Sequence, residues 1–172
     1  MTRREEEMTT CSNCGKEAAI RVRDYKFHEM GLPIVLKNVE VIDCDKCGNA
    51  DPIIPDINGL MHVAAFAVVS RPCKLRGYEI RFLRKYVGMS GREFSKLMDV
   101  DPTTLSKWEN DDDEIGPQSD RLVRLLVTAM SKELRPKSEE LVNALWEIVN
   151  CYSTSSSELE IDPETLKYEY SK

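Results

Sequence analysis

The sequence predicts an α+β protein: a small β-rich four-cysteine module, then an all-α segment, then a C-terminal helix plus hairpin. Three observations give this order. Two C-x-x-C pairs enclose β-branched runs, apolar residues recur at three- and four-residue spacing from position 55, and a serine-rich stretch precedes two short final runs. The predicted divisions are the module, a connecting helix, a helical domain and a C-terminal extension, at residues 9–54, 55–72, 73–132 and 136–172.

Composition excludes several classes of protein. The chain has 172 residues, of which 41% are hydrophobic and 31% charged, and its net charge is −6. This charge rules out a histone-like or general polyanion binder, because nonspecific nucleic-acid affinity comes from excess Lys and Arg. No apolar run approaches the ~20 residues of a membrane helix. The N-terminus is rich in Arg and Glu and does not resemble a secretory signal, so we expect a cytoplasmic protein with no membrane partner.

Four of the six cysteines form the two pairs, Cys11 with Cys14 and Cys44 with Cys47. A glycine follows each pair and, having no Cβ, lets backbone amides turn toward the sulfurs. Two such knuckles at the ends of a strand pair converge on a four-thiolate site with the closed geometry of structural zinc. In a chain without an export signal, the pattern favours metal over disulfides.

The expected cofactor is one structural zinc ion, with iron as the alternative because rubredoxin-type knuckles share this local sequence. Four thiolates leave no coordination position open for water, so the site is expected to stabilise the fold and not to catalyse. His28 and His62 are either spare ligands or ordinary surface and packing residues. No nucleophile–base pair and no phosphate loop is recognisable, so we expect no enzyme.

Between the cysteine pairs, the pattern predicts two strands that return the chain to its start. The first runs from Ile20 to Phe27 with a slip in its alternation, and the second from Ile34 to Ile42. The connecting helix follows and ends at Pro72.

Four short helices are predicted between Leu75 and Met130 from their apolar spacing. Asp101 caps the third of them and Pro102 stands at its first position, a favoured arrangement. The residues expected on the buried faces are Ile80, Leu83, Val87, Phe94, Leu97, Met98, Leu105, Trp108, Leu122, Leu125, Leu126 and Ala129.

The second and third of these helices, joined by a tight turn and braced on both sides, follow the helix-turn-helix plan, in which the later helix enters the major groove of DNA. The domain at residues 73–132 is therefore a predicted DNA-binding domain. Five polar residues of the later helix and its end are left facing outward: Thr103, Thr104, Ser106, Lys107 and Asn110.

This stretch resembles the Xre/Cro-type family, most visibly in Ile80-Arg81-Phe82-Leu83-Arg84-Lys85 and Leu105-Ser106-Lys107-Trp108-Glu109-Asn110. Together with the knuckles, residues 11–130 are similar to the MqsA/YgiT-type family, which joins a C-x-x-C-G…C-x-x-C-G zinc module to a helix-turn-helix. The resemblance implies a transcriptional regulator or antitoxin that binds double-stranded DNA of its own promoter as a homodimer. It also implies a zinc module that can bind a toxin.

The resemblance also implies roles for single residues. Thr103 and Lys107 would read bases, with Thr104 and Ser106 beside them and Asn110 on the same DNA-facing side. Arg84 of the first helix would form an ion pair with Glu109. At the start of the second helix, Gly91 and Arg92 stand where free amides and a positive dipole suit a phosphate.

Departures from the family pattern leave a second function open. Asp99 replaces the usual turn glycine, Ser95 replaces an alanine, and the acidic run 111–114 falls where relatives often carry a basic loop. The alternative is a protein-interaction module with weak or no specific DNA binding. Electron transfer at an iron site is a third hypothesis.

The extension from Pro136 is predicted to contain a helix with Leu141, Leu145, Ile148 and Val149 on one face. A linker at 153–157 and a hairpin follow. The helix, which carries Trp146, either packs on the core or serves as a dimerisation or capping element.

Overall fold

In a computed structural model, the structure describes residues 7–147 and 158–171. The chain divides into two compact units that do not follow chain order. One, here called the sheet unit, comprises residues 1–27, 33–60 and 157–172; the other, the helical unit, comprises residues 28–32 and 61–156. Described residues from both the N-terminal and the C-terminal parts of the chain therefore belong to the sheet unit.

The described part of the sheet unit contains one mixed sheet with strand order β1-β2-β3-β5-β6, and β4 also pairs with β3. Its strands are β1 (Glu7–Thr10), β2 (Glu17–Phe27), β3 (Ile34–Asp43), β4 (Ala50–Pro52), β5 (Leu159–Asp162) and β6 (Lys167–Tyr170).

The two strands predicted between the cysteine pairs form the antiparallel β2–β3 pair. The predicted slip in β2 is a register shift between Arg23 and Tyr25. Asp24 lies at this irregularity, where its carboxylate accepts hydrogen bonds from the Lys37 ammonium and from the Asn38 amide. These contacts hold Asp24 at the irregularity, and β2 pairs with β3 on both sides of it.

The predicted C-terminal hairpin is the antiparallel β5–β6 pair. Strand β5 continues the N-terminal sheet by pairing in parallel with residues 34–36 of β3. Its anchors are Leu159 and Ile161, which are 3% and 0% exposed. The extension thus supplies strands to the sheet unit, whereas the linker predicted at 153–157 lies outside the described residues.

The helices begin in the sheet unit with α1 and continue through the helical unit. They are α1 (Ile57–Ser70), α2 (Gly77–Tyr86), α3 (Gly91–Leu97), α4 (Pro102–Glu109), α5 (Pro117–Met130) and α6 (Ser138–Glu147), with a 3-10 turn at Arg135–Lys137. Pro136 thus lies in the turn before α6. Leu141 is buried and Leu145 half-buried, while Ile148 and Val149 lie outside the described residues.

Ile80 and Leu83 of α2 and Leu105 and Trp108 of α4 are buried as predicted. Val87, just after α2, is half-buried, and the prediction for α5 is wrong. Leu122 and Leu125 are 39% and 44% exposed, Ala129 is exposed and Leu126 is half-buried. The buried positions of α5 are Asp120, Val123, Arg124, Val127 and Thr128. The inward face includes an internal ion pair, which apolar spacing alone cannot reveal.

The prediction for Leu97 is also wrong, because this last residue of α3 is 41% exposed. The neighbouring Phe94 and Met98 are buried as expected. The fold class is α+β as predicted, with the four-cysteine region followed by helices and then by C-terminal strands. Among the described residues, no helix has the length and apolar character needed to cross a membrane.

Candidate metal centre and nucleic-acid interface

The two C-x-x-C segments fold into knuckles with the same backbone hydrogen bonds. In the first knuckle the Gly15 amide donates to the Cys11 carbonyl at 3.0 Å, and in the second the Gly48 amide donates to the Cys44 carbonyl at 2.9 Å. The two glycines have φ of +69° and +74°, a left-handed conformation that L side chains rarely adopt. The glycine after each pair is therefore a requirement of the turn.

The four sulfurs of Cys11, Cys14, Cys44 and Cys47 all lie within 4.8 Å of one another. Across the knuckles, the Cys11 and Cys47 sulfurs are 3.7 Å apart, and those of Cys14 and Cys44 are 3.6 Å apart. A tetrahedral site with metal–sulfur bonds of ~2.3 Å requires sulfurs ~3.8 Å apart. The predicted ligands therefore lie at the spacing of a four-thiolate metal site.

Two of the four thiols, those of Cys47 and Cys14, have shifted pKa values. The Asn49 amide donates to the Cys47 sulfur and lowers the pKa of this thiol to about 6. The Lys16 amide acts on Cys14 in the same direction, but desolvation and the neighbouring thiols outweigh it and raise the pKa of Cys14 to about 11. Thiolates this close together repel one another, and a thiophilic cation bound between them would offset that repulsion.

Polar side chains connect the two knuckles beside the sulfurs. The Asn13 side-chain amide of the first knuckle donates to the Cys47 sulfur at 3.7 Å. Asp51 accepts from the Ser12 hydroxyl and from the Asn49 side-chain amide, so one carboxylate joins both knuckles. Such contacts orient ligands around a metal, and nothing in the cysteine spacing pointed to them.

The α3–turn–α4 segment is held by residues that stabilise each helix end. Ser90 and Glu93 form a capping box at the start of α3. Asp99 has φ of +53°, and the Val100 amide donates back to the Ser95 carbonyl at 3.0 Å. Asp thus serves at the turn position usually held by glycine. The Asp101 carboxylate caps α4 by accepting from the Thr103 amide at 2.8 Å.

Leu105 and Trp108 bury the inner side of α4, at 2% and 7% exposure, which turns the other side outward. Of the five residues predicted to face DNA, four are exposed and Thr104 is half-buried. The Thr103 hydroxyl donates to the Asp101 carboxylate at 2.7 Å. Lys107 is the cation among the five.

Arg84 and Glu109 form the ion pair that the resemblance implied. Two hydrogen bonds join them, from Nε to Oε1 at 2.6 Å and from Nη2 to Oε2 at 3.0 Å. Their side chains are 12% and 10% exposed, and the Glu109 carboxylate raises the pKa of Arg84 further above its ordinary value. The pair fixes the end of α4 against α2.

Gly91 and Arg92 occupy the first turn of α3, where Gly91 is half-buried and Arg92 exposed. The Glu93 carboxylate occupies the same helix end, accepting from the Ser90 amide at 2.8 Å and the Ser90 hydroxyl at 2.6 Å. These bonds lower the pKa of Glu93. The positive end of α3 already has a carboxylate partner, which weakens it as a phosphate site.

Two of the four residues in the acidic run 111–114 have structural roles. The Asp111 carboxylate accepts from the Gly77 amide at 2.7 Å, at the start of α2. Glu114 pairs with Lys74 at 2.6 Å, and this ammonium lowers the pKa of Glu114. The run therefore presents less unpartnered negative charge than its sequence suggests.

A buried arginine in the helical unit was missed in the sequence. Arg124 is 0% exposed, and its Nε donates to Asp120 at 2.7 Å. Its Nη1 and Nη2 donate to backbone carbonyls at the end of α1 and just beyond, those of Val68, Val69, Arg71 and Cys73. The i,i+4 spacing of Asp120 and Arg124 was visible, but it is equally typical of a surface pair.

Residues 80–127 match a helix-turn-helix family model. The matched region runs from within α2 to within α5 and contains the whole α3–turn–α4 segment. Helix-turn-helix domains bind DNA, so the match supports the predicted DNA-binding regulator. No curated protein and no solved structure matches the chain.

Proposed function

We propose that this protein is a sequence-specific transcriptional repressor, not an enzyme, which binds the promoter of its own operon through α4. The observation that carries the proposal is the helix-turn-helix of residues 80–127, whose α4 is capped, packed on Leu105 and Trp108, and exposed on its polar side. We expect such a regulator to act in the cytoplasm. In such domains the second helix supplies the base contacts, and Lys107 can donate to guanine O6 or N7.

The direct test is fluorescence-anisotropy binding to DNA from upstream of the gene and to a scrambled sequence, at two salt concentrations. Lys107→Ala should lower the affinity for upstream DNA by about 1–3 kcal/mol if Lys107 reads a base. Lys167→Ala removes an equal charge from the exposed β6 strand and serves as the control. Equal, salt-sensitive binding of the wild type to both DNAs would contradict sequence-specific recognition.

The proposed repressor is a homodimer, and the exposed face of α5 supports this part. Leu122, Leu125 and Ala129 lie at i, i+3 and i+7 on that face. Helix-turn-helix dimers place two recognition helices about one DNA turn apart on a two-fold site. Leu125→Glu should convert the dimer to monomer in sedimentation, whereas Val142→Glu, on an equally exposed α6 position, should not. A wild-type monomer would contradict this part of the proposal.

The proposed metal is one structural zinc ion bound by Cys11, Cys14, Cys44 and Cys47. The support is the tetrahedral sulfur spacing with four thiolate donors, which leaves no position for water. Metal analysis of the purified protein should give one zinc per chain and a colourless solution. A coloured, iron-containing protein would favour electron transfer instead.

The antitoxin role rests on the resemblance to the MqsA/YgiT-type family. The proposed partner is a toxin that binds the sheet unit, where Met8 and Val22 are exposed apolar residues at 50% and 54%. Purification of the tagged protein from its native host should yield a stoichiometric small basic partner. Val22→Glu should lose that partner while keeping DNA binding. Absence of any such partner would leave a repressor that is not an antitoxin.

The alternative function is a protein-interaction module that binds DNA weakly or without specificity. Asp112 and Asp113, with the net charge of −6, favour it because exposed carboxylates repel phosphate. If the wild type binds DNA weakly and the double variant Asp112→Asn/Asp113→Asn binds it well, the alternative is correct for the wild type.

A further inference from the structure

The Asn110 side chain, just beyond α4, is held at both of its ends. Its Oδ1 accepts a hydrogen bond from Arg81 Nη2 at 2.5 Å, and its Nδ2 donates to the Ser106 hydroxyl oxygen at 3.4 Å. A guanidinium carries donors only, so it can face only the oxygen of the amide. Arg81 therefore determines which way the Asn110 amide points.

Arg81 is itself held in place by Glu109. Its Nη2 donates to the Glu109 carbonyl at 2.8 Å, and its Nε lies 3.5 Å from the Glu109 carboxylate. That carboxylate is 10% exposed and also binds Arg84, whereas the Arg81 side chain is 39% exposed. The Arg81 guanidinium is thus at the surface, where the buried Glu109 holds it in place.

With the Asn110 oxygen turned toward Arg81, the outward polar groups of this helix end are donors. Asn110 Nδ2 has a second hydrogen, the Ser106 hydroxyl hydrogen is left to donate because its oxygen accepts from Asn110, and Lys107 carries an ammonium. DNA offers matching acceptors in phosphate oxygens and in purine N7 and O6 atoms.

We propose that Arg81 is a positioning residue for DNA binding: by fixing the Asn110 amide, it makes the end of α4 a set of donors that requires an acceptor on the DNA. The inference rests on the proposed function, because it assumes that α4 contacts DNA. The acceptor is a phosphate oxygen or a purine edge, both of which take the same donors.

A double-mutant cycle measures whether Arg81 acts through Asn110. Arg81→Met should weaken binding to upstream DNA about tenfold in the wild-type background, a typical effect of losing a positioned polar contact. In the Asn110→Ala background the same change should cost less than about twofold, because the group it positions is gone. Equal losses in both backgrounds would overturn the inference.

Three further variants separate positioning from charge and from folding. Lys85→Met removes a cation from an exposed position of α2 and should not couple to Asn110→Ala. Arg81→Lys, which can still donate to the amide oxygen, should recover part of the affinity. Asn110→Asp keeps the acceptor for Arg81 but replaces the outward donor by an acceptor, and should weaken binding at least as much as Asn110→Ala. Coupling by Lys85→Met, or wild-type affinity of Asn110→Asp, would contradict the inference.

The acceptor is identified by repeating the cycle on modified DNA. Methylphosphonate linkages remove phosphate charge and 7-deazapurines remove N7, and the Arg81–Asn110 coupling should disappear on one of the two. Coupling that persists on both would overturn the proposal. If the wild type does not prefer upstream DNA at all, it is the proposed function that fails; if it does and the cycle is additive, only the role of Arg81 fails.

Discussion

The sheet unit and the helical unit differ in how their polar groups are stabilised. Beside the sulfurs of the sheet unit, the buried cluster is Cys11, Ala18 and Cys44, too small to stabilise the knuckles by apolar burial alone. The helical unit instead pairs its buried charges internally, as Arg124 with Asp120 and Arg71 with Glu79. One unit thus offers four sulfurs that could hold an ion, and the other pairs these buried charges within its own chain.

Loss of one thiolate should produce the largest difference in stability between the two units. Cys44→Ser should release the metal and unfold the sheet unit, because metal binding contributes about 10–16 kcal/mol to the folding of such small modules. The helical unit should stay folded. Its Trp108 fluorescence and the bound metal can be measured on the same sample. Cys73→Ser, which changes a cysteine outside the cluster, should change neither. A Cys44→Ser protein with full metal content would disprove the assignment.

Removing the buried arginine should have the largest effect within the helical unit. Arg124→Met removes the guanidinium from several carbonyls and from the Asp120 carboxylate, which retains the Leu75 amide as a donor. Breaking a buried pair in this way costs about 3–5 kcal/mol. Arg121→Met, three residues earlier on α5, is the matched control and should be close to neutral. Denaturant unfolding followed by tryptophan fluorescence gives both values. Comparable losses in the two variants would mean that the internal pair is not what stabilises this unit.

Close packing of α2 against the end of α4 should be the next most sensitive feature. A Cβ at Gly77 would lie within 2.8 Å of backbone atoms of Trp108 and Glu109, so Gly77→Ala should destabilise the unit by about 1–3 kcal/mol. Gly91 starts α3 with nothing within 4 Å of such a Cβ, and Gly91→Ala should be neutral or slightly stabilising. Equal melting temperatures for the two variants would contradict the packing described here.

The cap of α4 should give the smallest effect, and one that depends on pH. Hydrogen bonds from the Thr103 hydroxyl and amide lower the pKa of Asp101 below its ordinary 3.8. Its contribution is therefore present above pH 3.8 and is lost as the pH falls through the lowered value. Asp101→Ala should lower the melting temperature by a few degrees at pH 7. The exposed Asp112→Ala should not, and the difference should shrink toward pH 3. A difference that grows on acidification would contradict the cap.

Local signals in the sequence predicted much of both units. The cysteine spacing predicted the four-sulfur cluster, because C-x-x-C-G closes a turn whose geometry is set within five residues. Asp101 before Pro102 predicted the start of α4 for the same reason. The irregularity in β2 was also predictable, because it interrupts the two-residue alternation of apolar residues in the sequence.

Interactions between distant parts of the chain were not predictable in this way. The inward face of α5 was misassigned because Arg124 is buried only through acceptors at the end of α1, more than fifty residues earlier in the chain. The parallel pairing of β5 with β3 joins strands that are far apart in the chain, and the alternation within 159–161 does not indicate which strand is the partner. In the sequence, Arg81 is one of several cations on an amphipathic helix. Its role depends on its contact with Asn110, which only the structure shows.

The most direct test compares one variant from each unit in the same experiment. Anisotropy titrations with upstream and scrambled DNA would compare the wild type, Cys44→Ser and Lys107→Ala. We predict that Cys44→Ser keeps the preference for upstream DNA although its metal is lost, whereas Lys107→Ala loses much of that preference with its metal retained. A Lys107→Ala protein with an unchanged preference, or a Cys44→Ser protein that has lost it, would contradict the assignment of DNA recognition to the helix-turn-helix alone.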